Sequence, residues 1–240
     1  MVMISRRSII PRPILCVLAG GRSKRFGSSK LLLRVDGVPI LSWLADRLGR
    51  VLGGQRWLNL SPRHRAQPPP GTGAFDRIVA DAVAFAGPLR GMLHVLASAP
   101  PTAWVLFAAA DMPLLPPAHV RAMCRHLLRR PHLCAVMSRW TTGTDEHGES
   151  LAGVVEPLPS LWRVGRGVAL LRAAVSAGVR GPSELACRRD IACLPLGWPR
   201  DRLAFTNINH PHDASALAHR LRHAAGHRAA STISPAPRAH

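Results

Sequence analysis

Residues 14–30 read ILCVLAGGRSKRFGSSK, an apolar run followed at once by two glycines and several cations. Residues 14–17 have the length and composition of a buried strand. Gly20 and Gly21 lack a Cβ, so their backbone N–H groups can approach a phosphate closely, while Arg25 and Lys30 bring positive charge to the same loop. The stretch therefore predicts a strand that leads directly into a phosphate-binding loop.

The chain has two lysines, Lys24 and Lys30, and both lie in this loop, whereas arginine is spread along the whole sequence. A compact ammonium on a flexible stem differs from the planar guanidinium of arginine when a phosphate must be met in a tight pocket. Chance placement of two rare residues is the alternative explanation. The glycines beside them favour the phosphate loop.

Short apolar runs alternate with helical patterns along residues 13–223, which we expect to form a single domain. This alternation predicts an α/β fold with a parallel sheet that helices cover on both faces. Such sheets bind ligands at the carboxyl ends of their strands. The predicted strands are residues 14–19, 57–60, 78–80, 104–110, 133–138, 151–155, 191–194 and 203–206, and the predicted helices are residues 40–52, 89–97, 117–129 and 168–177, with a closing helix after residue 212.

The two ends of the chain show little apolar periodicity. Residues 1–12 and 224–240 are rich in Arg, Pro, Ser, Ala and His, so we expect both to be disordered. The start resembles a twin-arginine export signal, but Pro11 and Pro13 interrupt its apolar region, and no apolar run is long enough to cross a bilayer. The 5 cysteines form no CxxC pair, which favours reduced thiols. We therefore expect a soluble cytoplasmic protein without a membrane partner.

The formal net charge of +19 indicates attraction for anions in general. The arginines are not gathered into a basic run with interleaved aromatics. Tyrosine is absent and phenylalanine totals 5, so few side chains remain to stack on bases. A polyanionic small substrate therefore fits this charge better than a specific nucleic acid partner.

Two acids follow predicted strands. Asp81 closes the strand at residues 78–80 and precedes the segment GPLRG at residues 87–91, where it suits either contact with a base or ribose or the cap of a turn. Asp111 follows the most hydrophobic strand of the chain. A Mg²⁺ ligand explains this acid better than an N-cap does, because Pro116 and Pro117 begin the next helix several residues later.

Near the end of the domain, Asn207 and Asn209 flank a single apolar residue. In an extended strand both amides would lie on one face, although the same segment also fits a turn that starts a helix. Three tryptophans lie near predicted loops, where they suit either a ligand pocket or the core: Trp140, Trp162 and Trp198.

Together these motifs resemble the molybdenum cofactor guanylyltransferases, a branch of the nucleotidyltransferases. Members carry LAGGxSxRMGxDK near the start, an aspartate before GPLxG, an aspartate in D-x-P and N-x-N-x-P near the close. This chain has similar segments in the same order between residues 14 and 218. The resemblance implies a Rossmann-like three-layer α/β/α sandwich of the GT-A type. It also implies Mg²⁺-dependent transfer of GMP from GTP to molybdopterin, with release of pyrophosphate.

The resemblance further implies a role for each matching residue. Arg25 and Lys30 would hold the triphosphate and Asp111 would hold Mg²⁺, so that these three carry catalysis. Asn207 and Asn209 would lie toward the acceptor or the metal. The implied nucleotide-binding residues are Leu18, Ala19, Gly20, Gly21, Arg25, Lys30, Asn59 and Asp81.

The sequence also departs from the family pattern. Ser29 replaces the aspartate before the loop lysine, Ser61 is the polar residue two positions after Asn59, and residues 149–153 match the acceptor region only loosely. Two other functions stay open: a cytidylyltransferase acting on molybdopterin or another phosphorylated acceptor, and an inactive basic protein that binds nucleic acid. Ala19-Gly20-Gly21 favours guanine, since cytidylyltransferases usually show LAAG. We expect a monomer that delivers its product to a molybdoenzyme or a cofactor carrier.

Overall fold

A computed structural model describes residues 12–19, 30–64, 66–81, 87–144, 148–197, 201–205 and 207–208. The strands within these ranges are Ile14–Ala19 (β1), Arg34–Val35 (β2), Val38–Pro39 (β3), Arg56–Leu60 (β4), Arg77–Ala80 (β5), Trp104–Ala109 (β6), Ala135–Trp140 (β7), Val155–Arg163 (β8) and Ile191–Leu196 (β9). The α-helices are Ile40–Leu52 (α1), Pro88–Ala97 (α2), Pro117–Leu128 (α3) and Val164–Ser176 (α4).

Seven of these strands form one sheet in the order β5-β4-β1-β6-β8-β7-β9. The neighbours β5, β4, β1 and β6 are parallel to one another, as are β7 and β9. Strand β8 alone in this order runs antiparallel to both of its neighbours, β6 and β7. The carboxyl ends of six strands therefore meet at one edge of the sheet, together with the start of β8. The short strands β2 and β3 pair separately.

The two faces of the sheet carry separate apolar cores. In β1, Leu15 and Val17 pack on one face, whereas Ile14 and Cys16 pack on the other, as the alternation of side chains along a strand requires. Helices α1 and α3 cover the first face, and α2 and α4 cover the second. The fold is thus a three-layer α/β/α sandwich with a mostly parallel sheet, which confirms the predicted fold class.

Helix α1 has the bounds that its sequence pattern predicts, Ile40–Leu52. Its buried residues recur at helical spacing and include Leu41, Leu44 and Leu48, each worth about 1.5–3 kcal/mol relative to an exposed side chain. The helix ends at Gly53, whose φ of 63° lies in the left-handed region and whose N–H donates to the carbonyl of Gly49 at 2.9 Å. Glycine adopts this conformation without the strain that a Cβ would bring.

The last third of the domain contains two wrongly predicted strands. The strand predicted at residues 151–155 is wrong, because the strand in this region is β8, which begins at Val155 and continues to Arg163. Pro157 and Pro159 argued against a strand here, since proline has no N–H to donate a hydrogen bond to a neighbouring strand. In the structure the register between β7 and β8 shifts, from Val136 opposite Leu161 to Ser138 opposite Glu156, and the prolines lie within this irregular segment.

Two further elements differ from their predictions. Helix α4 begins at Val164 rather than at residue 168. Gly165 and Gly167 weaken the helical pattern of the sequence, so the first turn was not predicted, but in the structure they allow close packing. A Cβ at Gly167 would lie 2.8 Å from Leu96 Cδ1, and one at Gly165 would lie 3.2 Å from the Pro101 carbonyl oxygen. The strand predicted at residues 203–206 is also wrong: Leu203–Phe205 is a 3-10 turn in which the Phe205 N–H bonds to carbonyls of the preceding turn.

The structure describes almost none of the two predicted disordered ends, and the predicted closing helix lies outside the described residues. Those expectations therefore stay predictions. Of the helices that the structure describes, none is both long and apolar enough to cross a membrane.

The cysteines should differ sharply in reactivity. Burial raises the pKa of the Cys124 thiol to about 11 and that of Cys134 to about 12, and it also raises the pKa of Cys16 and Cys193. Cys187 is exposed. Because the thiolate is the reactive form, we expect iodoacetamide at neutral pH to alkylate Cys187 in the folded protein and Cys16, Cys124 and Cys134 only after unfolding. Peptide mapping by mass spectrometry checks this, and early alkylation of Cys16 would contradict the packing described.

Candidate functional site

The carboxyl edge of the sheet brings together polar residues that are far apart in sequence. Leu18 and Ala19 end β1, and in the register of the sheet Leu18 lies opposite both Asn59 of β4 and Ala109 of β6. Asp81 directly follows β5, which pairs with β4, and Asp111 follows β6. Four of the predicted nucleotide-binding residues and the predicted metal ligand therefore line one continuous edge.

Lys30 and Asp111 form an ion pair although 81 residues separate them in sequence. The distance from Lys30 Nζ to Asp111 Oδ2 is 3.2 Å, and the two side chains are 19% and 26% exposed. Buried Leu31, the next residue in the 3-10 turn that Lys30 begins, anchors this lysine to the core. The backbone carbonyl of Asp111 accepts a hydrogen bond from the Ile208 N–H at 2.8 Å. Both charged groups are thus fixed by their backbone and still accessible to a ligand.

The structure excludes one of the two roles considered for Asp111. The N-cap of α3 is Pro116, without a capping hydrogen bond from a side chain, so Asp111 does not cap that helix. Its carboxylate instead faces the lysine of the phosphate loop. The described residues contain no cluster of three or more His, Cys, Asp or Glu that would enclose a metal ion. A single accessible carboxylate fits Mg²⁺, which commonly takes one or two protein carboxylates and completes its shell with substrate phosphates and water.

Asn59 and Asp81 form a second polar pair on the same edge. Asn59 is only 3% exposed, and its Nδ2 donates to Asp81 Oδ1 at 2.8 Å and to the Val79 carbonyl at 3.1 Å. Those two bonds use both donors of the amide and fix its orientation. The Asp81 N–H in turn donates to the Leu60 carbonyl at 2.9 Å. The Asp81 carboxylate is thus held by the neighbouring strand, and it is partly exposed.

Gly91, the last residue of the GPLRG segment, packs directly against this pair. A Cβ at this position would lie 3.0 Å from Asn59 Oδ1 and 3.4 Å from Asp81 Oδ1. The segment places Gly87, with a φ of 87°, at the N-cap of α2 and Pro88 in its first turn. The N-terminus of α2 therefore approaches the Asp81 carboxylate closely, which the helix dipole favours.

Ser61 follows β4 and is 1% exposed, and its hydroxyl has no hydrogen-bond partner among the described residues. A buried hydroxyl without a partner costs about 1–3 kcal/mol. The sequence had marked this serine only as a departure from the family pattern. Its place directly after β4 puts an unused donor and acceptor beside the Asn59–Asp81 pair.

The structure does not describe every predicted site residue. Gly20, Gly21, Arg25 and Asn209 lie outside the described residues, so their predicted roles stay predictions. Asn207 is exposed, and it precedes Ile208, whose N–H bonds to the Asp111 backbone. Asn207 is therefore placed beside the loop that carries Asp111.

A further group of side chains, which sequence reasoning missed as a set, occupies the other half of this edge. We call it the β7–β8 cluster: His119, Ser138, Trp140, Glu156 and Phe205. His119 Nε2 and Ser138 Oγ are 2.9 Å apart, and the Phe205 ring makes edge contacts with the rings of His119 and Trp140 at centroid distances of 5.1 and 6.1 Å. Trp140 Nε1 donates to Glu156 Oε1 at 2.8 Å.

Trp140 and Trp162 belong to the core rather than to an open pocket, since they are 3% and 0% exposed. Trp198 lies outside the described residues. Burial raises the pKa of Glu156, and the hydrogen bond from Trp140 opposes part of that rise. A signal for Glu156 was present in the sequence. It is one of 13 acids in a chain of net charge +19, and it stands between apolar residues.

Comparison with known proteins agrees with this geometry. A family model described as a MobA-like NTP transferase domain matches residues 15–189. A protein of Rhodopseudomonas palustris named molybdenum cofactor guanylyltransferase is 32% identical over 224 residues, which are 88% of this chain and 94% of that protein. A protein of Thermococcus gammatolerans named probable molybdenum cofactor guanylyltransferase is 30% identical over 203 residues, 84% of this chain and 96% of its own length.

Solved structures show the same fold. Molybdopterin-guanine dinucleotide biosynthesis protein A from Archaeoglobus fulgidus superposes with a TM-score of 0.62 at 17% identity, covering 88% of this chain and 99% of its own. A nucleotidyl transferase from Methanothermobacter thermautotroptrophicus gives a TM-score of 0.62 at 18% identity, covering 88% and 98% of the two chains. The family match, the relatives and the shared fold lead to one conclusion: the chain belongs to the family of MobA-like NTP transferase domains.

Proposed function

We propose that this protein transfers GMP from GTP to molybdopterin, releases pyrophosphate and requires Mg²⁺. The observation that carries the proposal is the contact between Lys30 and Asp111 at the carboxyl end of β6. It joins a phosphate-binding cation and a metal-binding carboxylate at the edge where the Asn59–Asp81 pair also lies. The names of the relatives in Rhodopseudomonas palustris and Thermococcus gammatolerans support the choice of GTP and of the molybdenum cofactor.

Nucleotidyl transfer depends mainly on positioning and on neutralising charge. The attacking group is the terminal phosphate of molybdopterin, which is already ionised at neutral pH, so no strong general base is required. A Mg²⁺ ion bound by Asp111 would neutralise phosphate oxygens as negative charge develops on the leaving pyrophosphate. Lys30, together with Arg25, would hold the triphosphate in line for attack.

The ion pair suggests how the protein keeps this site ordered without substrate. Lys30 and Asp111 neutralise each other across 3.2 Å in the free protein. When Mg²⁺ and GTP bind, the carboxylate can take the metal while the ammonium takes a phosphate oxygen. Both groups then exchange one ionic partner for another, so neither is left uncompensated in a partly buried site.

The Asn59–Asp81 pair would bind the nucleoside. The partly exposed Asp81 carboxylate suits the N–H donors of guanine or the hydroxyls of ribose. Asn59 positions Asp81, and Gly91 leaves room for both. Cytosine offers a different set of donors, so a guanine contact here would also separate GTP from CTP.

Turnover tests the proposal directly. With Mg²⁺ and molybdopterin present, we expect pyrophosphate release from GTP well above that from CTP, and only background release when molybdopterin is omitted. A preference for CTP would overturn the guanylyl assignment. Salt-dependent binding of DNA, together with no pyrophosphate release from either nucleotide, would instead support an inactive nucleic-acid-binding protein.

Lys30→Ala and Asp111→Ala should each lower kcat/KM by about two to three orders of magnitude, because each removes a charge that opposes the charge on the transferring phosphates. Circular dichroism should show that both variants remain folded. Asp46→Asn provides the matched control, since Asp46 pairs with Arg50 on the exposed side of α1. Near-normal activity of either site variant would refute the role given to that residue.

Gly91→Ala should act on the nucleotide alone. The added Cβ meets Asn59 Oδ1 at 3.0 Å, so the Asn59–Asp81 pair must shift. We expect KM for GTP to rise by about tenfold, which corresponds to about 1.4 kcal/mol, with KM for molybdopterin unchanged. Gly73→Ala is the control, because a Cβ there meets nothing within 4 Å. An equal rise in KM for both substrates would contradict this assignment.

A further inference from the structure

Glu156 is a largely buried carboxylate that accepts one hydrogen bond from the residues that the structure describes. Its Oε1 accepts a hydrogen bond from Trp140 Nε1 at 2.8 Å, and within the part of the chain that the structure describes, this indole is its hydrogen-bond partner. An ionised carboxylate has about four lone-pair positions, of which this bond uses one. Partial burial weakens the hydration of this charged group, so a ligand that supplies further donors would be favourable there.

The surroundings of Glu156 hold it in a fixed position. It lies in β8, where it pairs with Ser138 of β7, and Val155 pairs with Arg139. Trp140, which donates to it, is 3% exposed and packs against the buried Phe205 ring. A carboxylate on a paired strand, oriented by a buried indole, is preorganised to receive a ligand at low entropic cost.

The position of Glu156 sets which substrate it can meet. In the sheet order, β8 lies next to β6, on the side away from β1, β4 and β5. The nucleotide residues occupy those three strands, and Asp111 follows β6. One short segment links the two halves, because Phe205 belongs to the β7–β8 cluster and the Ile208 N–H bonds to the Asp111 carbonyl. Glu156 therefore lies across Asp111 from the nucleotide residues, on the side left for the acceptor.

We propose that Glu156 is a specificity-determining residue for the acceptor, which accepts hydrogen bonds from the amino-pyrimidinone edge of its pterin ring. This inference rests on the proposed function. The exocyclic amino group and the neighbouring ring N–H of a pterin are parallel donors, and the two oxygens of a carboxylate match them side by side. Glu156 Oε2 keeps its lone pairs for one donor, and Oε1 keeps one after bonding to Trp140.

This match of donors and acceptors predicts that the protein distinguishes a pterin from a lumazine, which a purely structural role of Glu156 would not produce. A lumazine carries a carbonyl oxygen where a pterin carries its exocyclic amino group. When this oxygen faces a carboxylate, the two acceptors repel each other, and the hydrogen bond that the pterin amino group would donate is lost. Sites built on such polar matches reject the mismatched ring strongly, because the buried group is left without its partner.

The test compares two fluorescent rings, hydroxymethylpterin and hydroxymethyllumazine, in equilibrium titrations with the full chain. We expect the wild-type protein to bind the pterin at least about tenfold more tightly than the lumazine. Glu156→Gln keeps an oxygen that can accept from Trp140 but adds an amide donor that suits the lumazine carbonyl. The ratio of the two affinities should therefore fall to about one. Glu156→Asp, which keeps the carboxylate, should retain the preference for pterin with weaker binding.

Kinetics provide a second readout. In Glu156→Gln we expect KM for molybdopterin to rise about tenfold while KM for GTP stays unchanged. Asp190→Asn is the matched control, since Asp190 pairs with Arg188 and precedes β9 at the opposite edge of the sheet. It should behave as the wild-type protein does in every assay.

Three results would overturn the inference: an unchanged pterin-to-lumazine ratio in Glu156→Gln, a parallel loss of GTP affinity in that variant, or an equal loss of both ring affinities in Glu156→Asp. Ring binding needs no turnover. If the wild-type protein released no pyrophosphate, the proposed function would fail. The two titrations would still decide whether Glu156 binds the amino-pyrimidinone edge of the ring.

Discussion

The burial of β1 on both of its faces is the constraint on which the rest of the structure depends. This strand lies between β4 and β6, and its residues Leu15, Cys16 and Val17 are inaccessible to solvent. A strand buried on both faces needs helices above and below it, which sets the three-layer arrangement. Its parallel neighbours then end at the same edge as β1 does. Polar side chains that follow these buried strands therefore lie together at that edge, so the burial of the strands brings the residues of the candidate site together.

The reversal of β8 divides this edge into two halves. On one side, β1, β4 and β5 carry the Asn59–Asp81 pair. On the other, the start of β8 and the end of β7 carry Glu156 and Trp140. Asp111 lies between the halves, with Lys30 beside it. A reaction between a nucleotide and a second phosphorylated substrate would suit this layout, because the two could meet beside Asp111.

The strongly basic composition is consistent with such a reaction. Substrates that carry several phosphates are drawn toward a surface of net charge +19 before any specific contact forms. Within the site, the acids are few and placed for particular tasks. Asp81 is held by an amide, Asp111 by a lysine and Glu156 by an indole.

The grouping of the polar residues in the proposed nucleotide half could be predicted from sequence, because these residues follow apolar runs and parallel strands bring such positions together. Asp81 and Asp111 are examples. The Glu156–Trp140 contact of the proposed acceptor half could not be predicted in the same way. Pro157 and Pro159 make the sequence of β8 resemble a loop, and Glu156 lies within the strand rather than after it. Its contact with Trp140 depends on the antiparallel pairing of β8, which no local pattern reveals. Gly165 and Gly167 similarly prevented prediction of the first turn of α4, because their close packing is visible in the tertiary structure and not in the sequence.

We propose that Asp111 links metal binding to nucleotide binding through a site that it shares with Lys30. The most direct measurement is the dissociation constant of GTP as a function of Mg²⁺ concentration, for the wild-type protein and for Asp111→Asn. The account predicts that Mg²⁺ strengthens GTP binding to the wild-type protein and has little effect on the variant. An equal strengthening by Mg²⁺ in both proteins would show that the metal is held elsewhere and would contradict the account.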